Sequence, residues 1–317
     1  MSFGYQVLGF GSGSAGSPFI TACGGTPTQS GDYEIRTFTG PGTFCVSGVA
    51  TCAADNVVSY LVVAGGGGSI FDRGGAGGAG GFREYKSPVD CYTASPLDGN
   101  PCGTAVTVTA SPYSIAIGAA GAAQPCTGTP GGNGGDSTFS TITSSGGGGG
   151  GKIPSTGNTG GSGGGGYCSG GGGAGNTPPV TPAQGTAGGG STPGTGGGGG
   201  GATVAGGAAS PSCGGSGGTG AGTEINPSAC VGAPGPSGPL RYFSGGGGGG
   251  NDTTSPGAAG VGGGGKGARG PYPSSSVAAD AGTVNTGGGG GGTNGGGASA
   301  VAQAGGSGVV IIRYKFQ

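Results

Sequence analysis

The sequence predicts an all-β-like chain with no helix, built as an antiparallel bundle of glycine-rich, left-handed threefold helices on a small β-sheet base. Three observations predict this class. Glycine makes up 97 of the 317 residues and is gathered into discrete blocks, among them six-residue runs at 146–151, 196–201, 245–250 and 287–292. The blocks hold no proline, although the chain has 22, which fall in the polar loops between them. A few β-branched, alternating stretches run straight into glycine, and no stretch carries a capped 3.6-residue apolar period.

Glycine loses more freedom on folding than any other residue, so an isolated run should stay disordered. Discrete blocks of similar length between distinct loops are nevertheless not what a slack linker needs. Without Cβ atoms, extended threefold chains can lie side by side. Such a helix makes no internal hydrogen bonds, so its N–H and C=O groups point outward to neighbours. Proline has no N–H to donate and is kept out. One block alone cannot hold this arrangement; a bundle can.

In chain order, residues 1–24 read as an N-terminal docking arm and 25–64 as the β base. Residues 65–308 read as the bundle, with β insertions at 82–117 and 136–145, and 309–317 as a C-terminal strand closing the base. In the arm, "MSFGYQVLGF" spaces Phe3, Tyr5, Val7, Leu8 and Phe10 between small residues, which suits burial against another protein; an edge strand of the chain's own base is the alternative. It lacks the basic and long apolar regions of a secretory signal. The base strands are "YEIRTF" and "TFCVSG" around Gly-Pro-Gly, "NVVSYLVVA", the alternating 104–118, the weaker "DSTFSTITSS", and "GVVIIRYKF".

Counting from Val63 as an exit from the base gives fourteen runs. Upward runs are expected at 65–68, 118–121, 146–151, 170–175, 196–201, 245–250 and 287–292. Downward runs are expected at 74–81, 131–135, 160–166, 188–190, 214–222, 260–265 and 305–308. The loops 69–73, 121–130, 152–159, 176–187, 202–213, 251–259 and 293–304 then share the far end. Tyr167, Tyr242, Phe243 and Tyr272 fall at the base. Loops can vary on a rigid scaffold and so carry recognition. Their large or charged residues Ile70, Phe71, Arg73, Lys152, Ile153, Asn251 and Asp252 are the candidate receptor contacts.

Composition narrows the function. A net charge of −1 with 7% charged residues gives no basic stripe for nucleic acid. No run of 18 apolar residues is present, so no helix is expected to insert in a membrane. Histidine is absent, which removes the base of the usual triads, and the 11 carboxylates are scattered; no enzyme activity, cofactor or metal site is expected. "GVGGGGK" (260–266) and "GGGGGGK" (146–152) match half of a phosphate-loop pattern, but Gly267 and Ile153 stand where Ser or Thr is required, and no helix follows. "NDT" at 251–253 fits a glycosylation sequon, a match too common to carry weight.

Nine cysteines are many for such a chain, and close pairs suit short staples outside a reducing compartment. The expected links are Cys45–Cys52, Cys91–Cys102 and Cys213–Cys230, with Cys126–Cys168 next and Cys23 left over. Free buried thiols are the alternative.

"YLVVAGGGG", "GGAGGAGGFRE", "YSIAIGAAG", "GGDSTF", the hexaglycine blocks and "GGSGVVIIRYK" together resemble the glycine-rich domain of bacteriophage tail fibres and tail-tip adhesins. The likeness covers nearly the whole chain beyond about residue 30, and "MSFGYQVLGFGS" is similar to N-termini of virion proteins of marine phages. The resemblance implies a polyglycine II sandwich on the particle surface, fixed at one end to other virion proteins. Its distal loops would meet a host surface carbohydrate or outer-membrane protein loop. A fibre of this kind also allows a homotrimer. The chain departs from the pattern in its cysteine count and in the few aromatic residues of its distal loops. A purely structural capsid-surface protein and a non-viral extracellular glycine-rich protein are the competing readings.

Overall fold

The computed structural model of the chain describes residues 18–317 except 73, 102, 126–127, 153–154, 228–230, 253, 271–276, 294 and 296–300. Phe3, Tyr5, Val7, Leu8 and Phe10 lie outside the described residues. The fold is all-β: among the described residues there is no α-helix, only a single 3₁₀ turn at Ala53–Asn56.

The central sheet of the base has the order β2 (Thr26–Ser30), β3 (Tyr33–Phe38), β14 (Val309–Lys315), β5 (Val57–Val63), β6 (Phe82–Tyr85), with β7 (Val106–Thr107) also on β5. All its pairings are antiparallel; Val309 faces Val63 and Val310 faces both Phe38 and Val62. Successive side chains of a strand point to opposite faces, and here both faces are covered. Val310, Ile312 and Tyr314 join Val58, Tyr60 and Val62 in one apolar cluster. Val309 and Ile311 join Leu61 and Val63 in the other. Burial on both sides explains why "VVII" carries no polar alternation.

The first cluster is closed by a five-stranded sheet of order β1 (Thr21–Cys23), β4 (Gly42–Gly48), β8 (Pro112–Ala116), β9 (Ser137–Phe139), β10 (Ile142–Ser144). Its rings interlock: Phe139 packs edge-on to Phe44 and Tyr60 at 6.2 and 5.9 Å. β1 falls inside the segment read as the docking arm, so that segment ends as an edge strand of the base. The second cluster is closed by a three-stranded sheet of β11 (Ala221–Thr223), β13 (Arg241–Phe243) and β12 (Ala233–Pro234), with Phe243 and Ile225 buried in it.

From this base the glycine runs extend with neither helix nor strand pairing, held by backbone hydrogen bonds that rotate among neighbours. Gly65 N–H donates to Gly135, Gly66 to Gly306, Gly67 to Gly78, and Gly68 returns to Gly132. In the run 196–201, Gly196 and Gly199 donate to Gly250 and Gly247, Gly197 and Gly200 to Gly166 and Gly163, Gly198 and Gly201 to Gly207 and Val204. The pattern repeats every three residues; the N–H groups of 196–201 reach three neighbouring runs, and its carbonyls accept from three more, through Gly215 and Gly218, Ala76 and Ala79, and Gly189 and Thr186. Interior runs such as 65–68, 146–151, 196–201 and 245–250 are wholly buried. Glycine is required here by space. A Cβ on Gly199 would stand 1.9 Å from the carbonyl oxygen of Gly77, and one on Gly66 2.0 Å from that of Gly288. Alanine enters the interior at Ala76 and Ala79, three residues apart on one side of the run 74–81, both fully buried.

Hydrogen-bond register also fixes the direction of each run, and it corrects the sequence-based count. Gly147 and Gly150 pair with Gly65 and Gly68, and Gly148 and Gly151 with Ser162 and Gly165, so all three runs are parallel. Residues 160–166 therefore climb, where descent was expected, and 196–201, antiparallel to them, descends. Gly245 and Gly248 pair with Gly262 and Gly265 in the same sense, so 262–265 climbs as well. The count slipped because four runs poor in glycine were read as loops. Residues 155–160, 204–209, 257–260 and 277–283 all bond into the bundle, through Asn158 to Gly149, Gly207 to Ser216, Gly260 to Gly246 and Asp280 to Lys266. These runs lie at its margin, where a side chain can face water and glycine is not needed.

Candidate functional site

The corrected directions bring most of the sequence-predicted residues to one end. There the turns after the climbing runs meet one another. Ile70 bridges Gln124, Tyr167 bridges Gly196, Asn251 bridges both Thr195 and Arg269, and Cys213 bridges Ser255. Thr293 donates through its hydroxyl to the Ile70 carbonyl at 2.7 Å and accepts from the Gly74 N–H. Tyr167 thus belongs to this far end, not to the base, whereas Tyr242 and Phe243 are in β13 as expected; Tyr272 lies outside the described residues. The turn at 176–183 is at the base, where the Gln184 carbonyl receives the Phe82 N–H and its side-chain oxygen receives the Ser145 N–H.

Burial sorts the candidates. Ile70 and Asn251 are buried and form the turns themselves; the Asn251 side-chain oxygen accepts from the Thr254 N–H at 2.8 Å. Asp252 is half-buried and its carboxylate holds the Gly295 N–H at 2.6 Å. Lys152 is half-buried with its ammonium 3.4 Å from the Gly128 carbonyl. Arg73 and Ile153 lie outside the described residues. Phe71 is half-buried and borders an apolar cleft of about 410 Å³ with Ala123, Pro125, Val301 and Ala302. Val301 is 59% exposed, the mark of a lining open to solvent. The backbone beside the cleft is hydrogen-bonded: Phe71 N–H bonds the Gln124 carbonyl, Gln124 N–H bonds the Ser69 carbonyl, and Ser69 and Gln303 exchange backbone and hydroxyl bonds.

Four of these five lining residues escaped sequence reasoning, which sought large or charged groups. Their signal is local: "AAQP" and "AVA" are apolar interruptions in loops otherwise made of Gly, Ser and Thr.

The base holds a second concavity of about 470 Å³ between Asp32, Tyr33, Cys91, Tyr92, Glu224 and Arg313. Most of its charged groups are paired within the fold, although the Arg313 Nη1 and the Tyr92 hydroxyl are buried without a hydrogen-bond partner among the described residues. Arg313, 4% exposed, places Nε 3.0 Å from Asp90 and its guanidinium 4.6 and 5.4 Å from the ring centres of Tyr33 and Tyr92. Asp90 also accepts from the Ser59 hydroxyl at 2.8 Å. Nearby, burial raises the Glu84 carboxyl above its usual range, partly offset by hydrogen bonds from Ser95 and the Thr223 hydroxyl. Desolvation likewise pushes the Tyr33 and Tyr60 phenols up to about 12 and raises Tyr92 well above its ordinary value. Buried, paired groups of this kind serve packing.

Among the described residues no group of three or more Cys, Asp or Glu is placed to hold a metal ion, and no helix is long and apolar enough to cross a membrane. The expected Cys45–Cys52 link is not formed; both are free thiols. The reason is the length of β4: the chain stays extended from Cys45 to Gly48 at about 3.3 Å per residue, which carries Cys52 away beyond the strand. Cys91, Cys168 and Cys213 are also free, and their expected partners Cys102, Cys126 and Cys230 lie outside the described residues.

Fold and far end together define an all-β protein in which a glycine lattice carries a set of clustered loops. Residues 38–315 match the model of the glycine-rich domain family, from the end of β3 to the end of β14, and the chain belongs to that family. No curated protein matches it.

Proposed function

We propose that this protein is a virion attachment protein, a phage tail fibre or tail-tip adhesin, that presents the loops at the far end of its lattice to a host-surface receptor. The runs that carry those loops are taken as polyglycine II helices, left-handed with three residues per turn, a reading supported by the three-residue repeat of their hydrogen bonds. The observation that carries the functional reading is the apolar cleft at Phe71. There, among the described residues, an aromatic edge and exposed Val301 stand beside a hydrogen-bonded backbone. Such a cleft suits the apolar face of a sugar or a side chain of an outer-membrane protein loop. A single small cleft binds weakly, so adhesion rests on several copies per particle, in a trimer or an array of fibres. The first residues, Phe3 to Phe10, dock the base to other virion proteins.

The test is adsorption. Particles carrying Phe71→Ala together with Val301→Ser should assemble normally and bind host cells at least tenfold less well. Antibody label should fall on the tail. Unchanged adsorption with label on the capsid supports the structural reading instead and removes the adhesin.

A further inference from the structure

Cys23 was the cysteine left without a partner by sequence spacing. The structure supplies one. β1 pairs antiparallel with β4, and the register sets Ala22 opposite Val46 and Cys23 opposite Cys45. Directly opposed residues share a face of the sheet. Ala22 and Val46 are buried, so the next pair faces outward, and indeed Cys23 is exposed and Cys45 half-exposed. Opposed Cα atoms of an antiparallel pair are about 4.5–5.5 Å apart, inside the roughly 4.4–6.8 Å that a disulfide spans. Two further contacts hold Cys23 in place. The Arg36 guanidinium bonds the carbonyls of Ala22 and Gly24 on either side of it, at 2.8 and 3.5 Å. Gly24, at φ +99°, sits so close to β4 that a Cβ there would lie 1.9 Å from the Thr43 carbonyl oxygen.

We propose that Cys23 and Cys45 are a redox pair that closes to a cross-strand disulfide when the protein meets a small-molecule disulfide. The thiolate of one cysteine attacks the small disulfide and releases one small thiol, leaving a mixed disulfide. The second cysteine then attacks the protein sulfur, forming the Sγ–Sγ bond and releasing the second small thiol. Both protein sulfurs are oxidised, the small disulfide is reduced, and the two thiol protons leave with the released thiols. The effect is mechanical. β1 is a three-residue edge strand with one neighbour, preceded by Ile20, which is buried in the same core. The staple fastens that edge to β4, whatever the N-terminal segment binds, so the inference does not rest on the proposed function.

The full-length chain, treated with oxidised glutathione, alkylated and digested without reductant, tests it. The expected product is one linked peptide pair joining Cys23 to Cys45, with a mass lower by two hydrogens. It should be absent in Cys23→Ser and Cys45→Ser and present in Cys52→Ser. Oxidised wild type should melt on the order of 5 °C higher than the reduced protein, reversibly with reductant. A Cys45–Cys52 peptide, or Cys23 and Cys45 recovered alkylated or each capped by glutathione, overturns the pairing. An unchanged melting temperature in the linked protein overturns the staple.

Discussion

The base and the lattice bury their backbones by opposite means. A strand such as β14 bonds to neighbours in one plane, β3 on one side and β5 on the other, and must use side chains to fill the space above and below. A run such as 196–201 donates to three neighbouring runs and accepts from three others around it, so the space on every side is filled by other backbones. The base therefore needs side-chain volume and the lattice needs its absence. Substitutions should have reversed signs in the two regions: loss of volume hurts the base, and gain of volume hurts the lattice.

The largest effect is expected in the base. Phe139 is fully buried and touches the rings of Phe44, Tyr60 and Tyr113. Phe139→Ala removes that volume where the sheets on either side cannot collapse. It should cost about 3–5 kcal/mol in urea unfolding. A loss below about 1 kcal/mol would mean the base is as indifferent to side chains as the lattice.

The mirror experiment is Gly199→Ala. The added methyl meets the Gly77 carbonyl at 1.9 Å, and no rotamer exists to relieve the contact. Overpacking of this kind costs about 1–3 kcal/mol. The same urea titration measures it, and a neutral result would show that neighbouring runs slide apart freely.

This contrast also explains what was legible in the sequence. β5 and β14 could be read because β-branched residues crowd into short runs, and the interior glycine blocks because only Gly fits among close backbones. Runs at the margin could not be read by the same rule. In 277–283 ("VAADAGT") and 204–209 ("VAGGAA") side chains point to water, so glycine is optional and the signal fades. Missing 155–160 reversed the direction assigned to every run between 160 and 201, and missing 257–260 reversed 262–265. At the far end Phe71 was legible as an isolated ring in a loop. Its partners Val301 and Ala302 were not, because they come to it through a contact more than two hundred residues away in sequence. The Cys23–Cys45 pairing was hidden likewise: it depends on the register of β1, and spacing favoured the nearer Cys52.

Alkaline titration should separate the regions again. The phenols raised by burial, at Tyr33, Tyr60, Tyr85, Tyr92 and Tyr314, all belong to the base. For Tyr60, burial is the main cause, and its hydroxyl donates to the Thr104 carbonyl at 2.7 Å. A folded value of about 12 against 10 unfolded means that its contribution is fully present below pH 10 and is lost as pH rises through 12. Tyr60→Phe should be about 1 kcal/mol weaker at pH 8, through the lost hydrogen bond, and the gap to wild type should close just above pH 10 and reverse by pH 12, because a rise from 10 to about 12 is worth about 2.7 kcal/mol. Denaturant melts across that range check it; a constant gap would show that Tyr60 ionises freely in the folded base.

The smallest effect is expected where the lattice meets water, and it defines the boundary of the rule. A Cβ at Gly190 would have its nearest neighbour at 3.7 Å, and one at Gly128 would meet nothing within 4 Å; neither has a positive φ. Alanine fits both sites without strain. Its main action is then on the unfolded chain, which has fewer conformations to lose. Gly190→Ala and Gly128→Ala should therefore be neutral or stabilising by about 0.4–1 kcal/mol. The run at 188–190 is the sharper site, because one residue along the chain the preference inverts. A Cβ on Gly189 would stand 1.9 Å from the Gly207 carbonyl oxygen. Adjacent positions with the same sequence identity should thus give opposite signs, Gly189→Ala lowering the urea midpoint and Gly190→Ala holding or raising it. If both lower it equally, glycine is needed in this run for backbone conformation, and close approach of neighbouring chains is not what selects it.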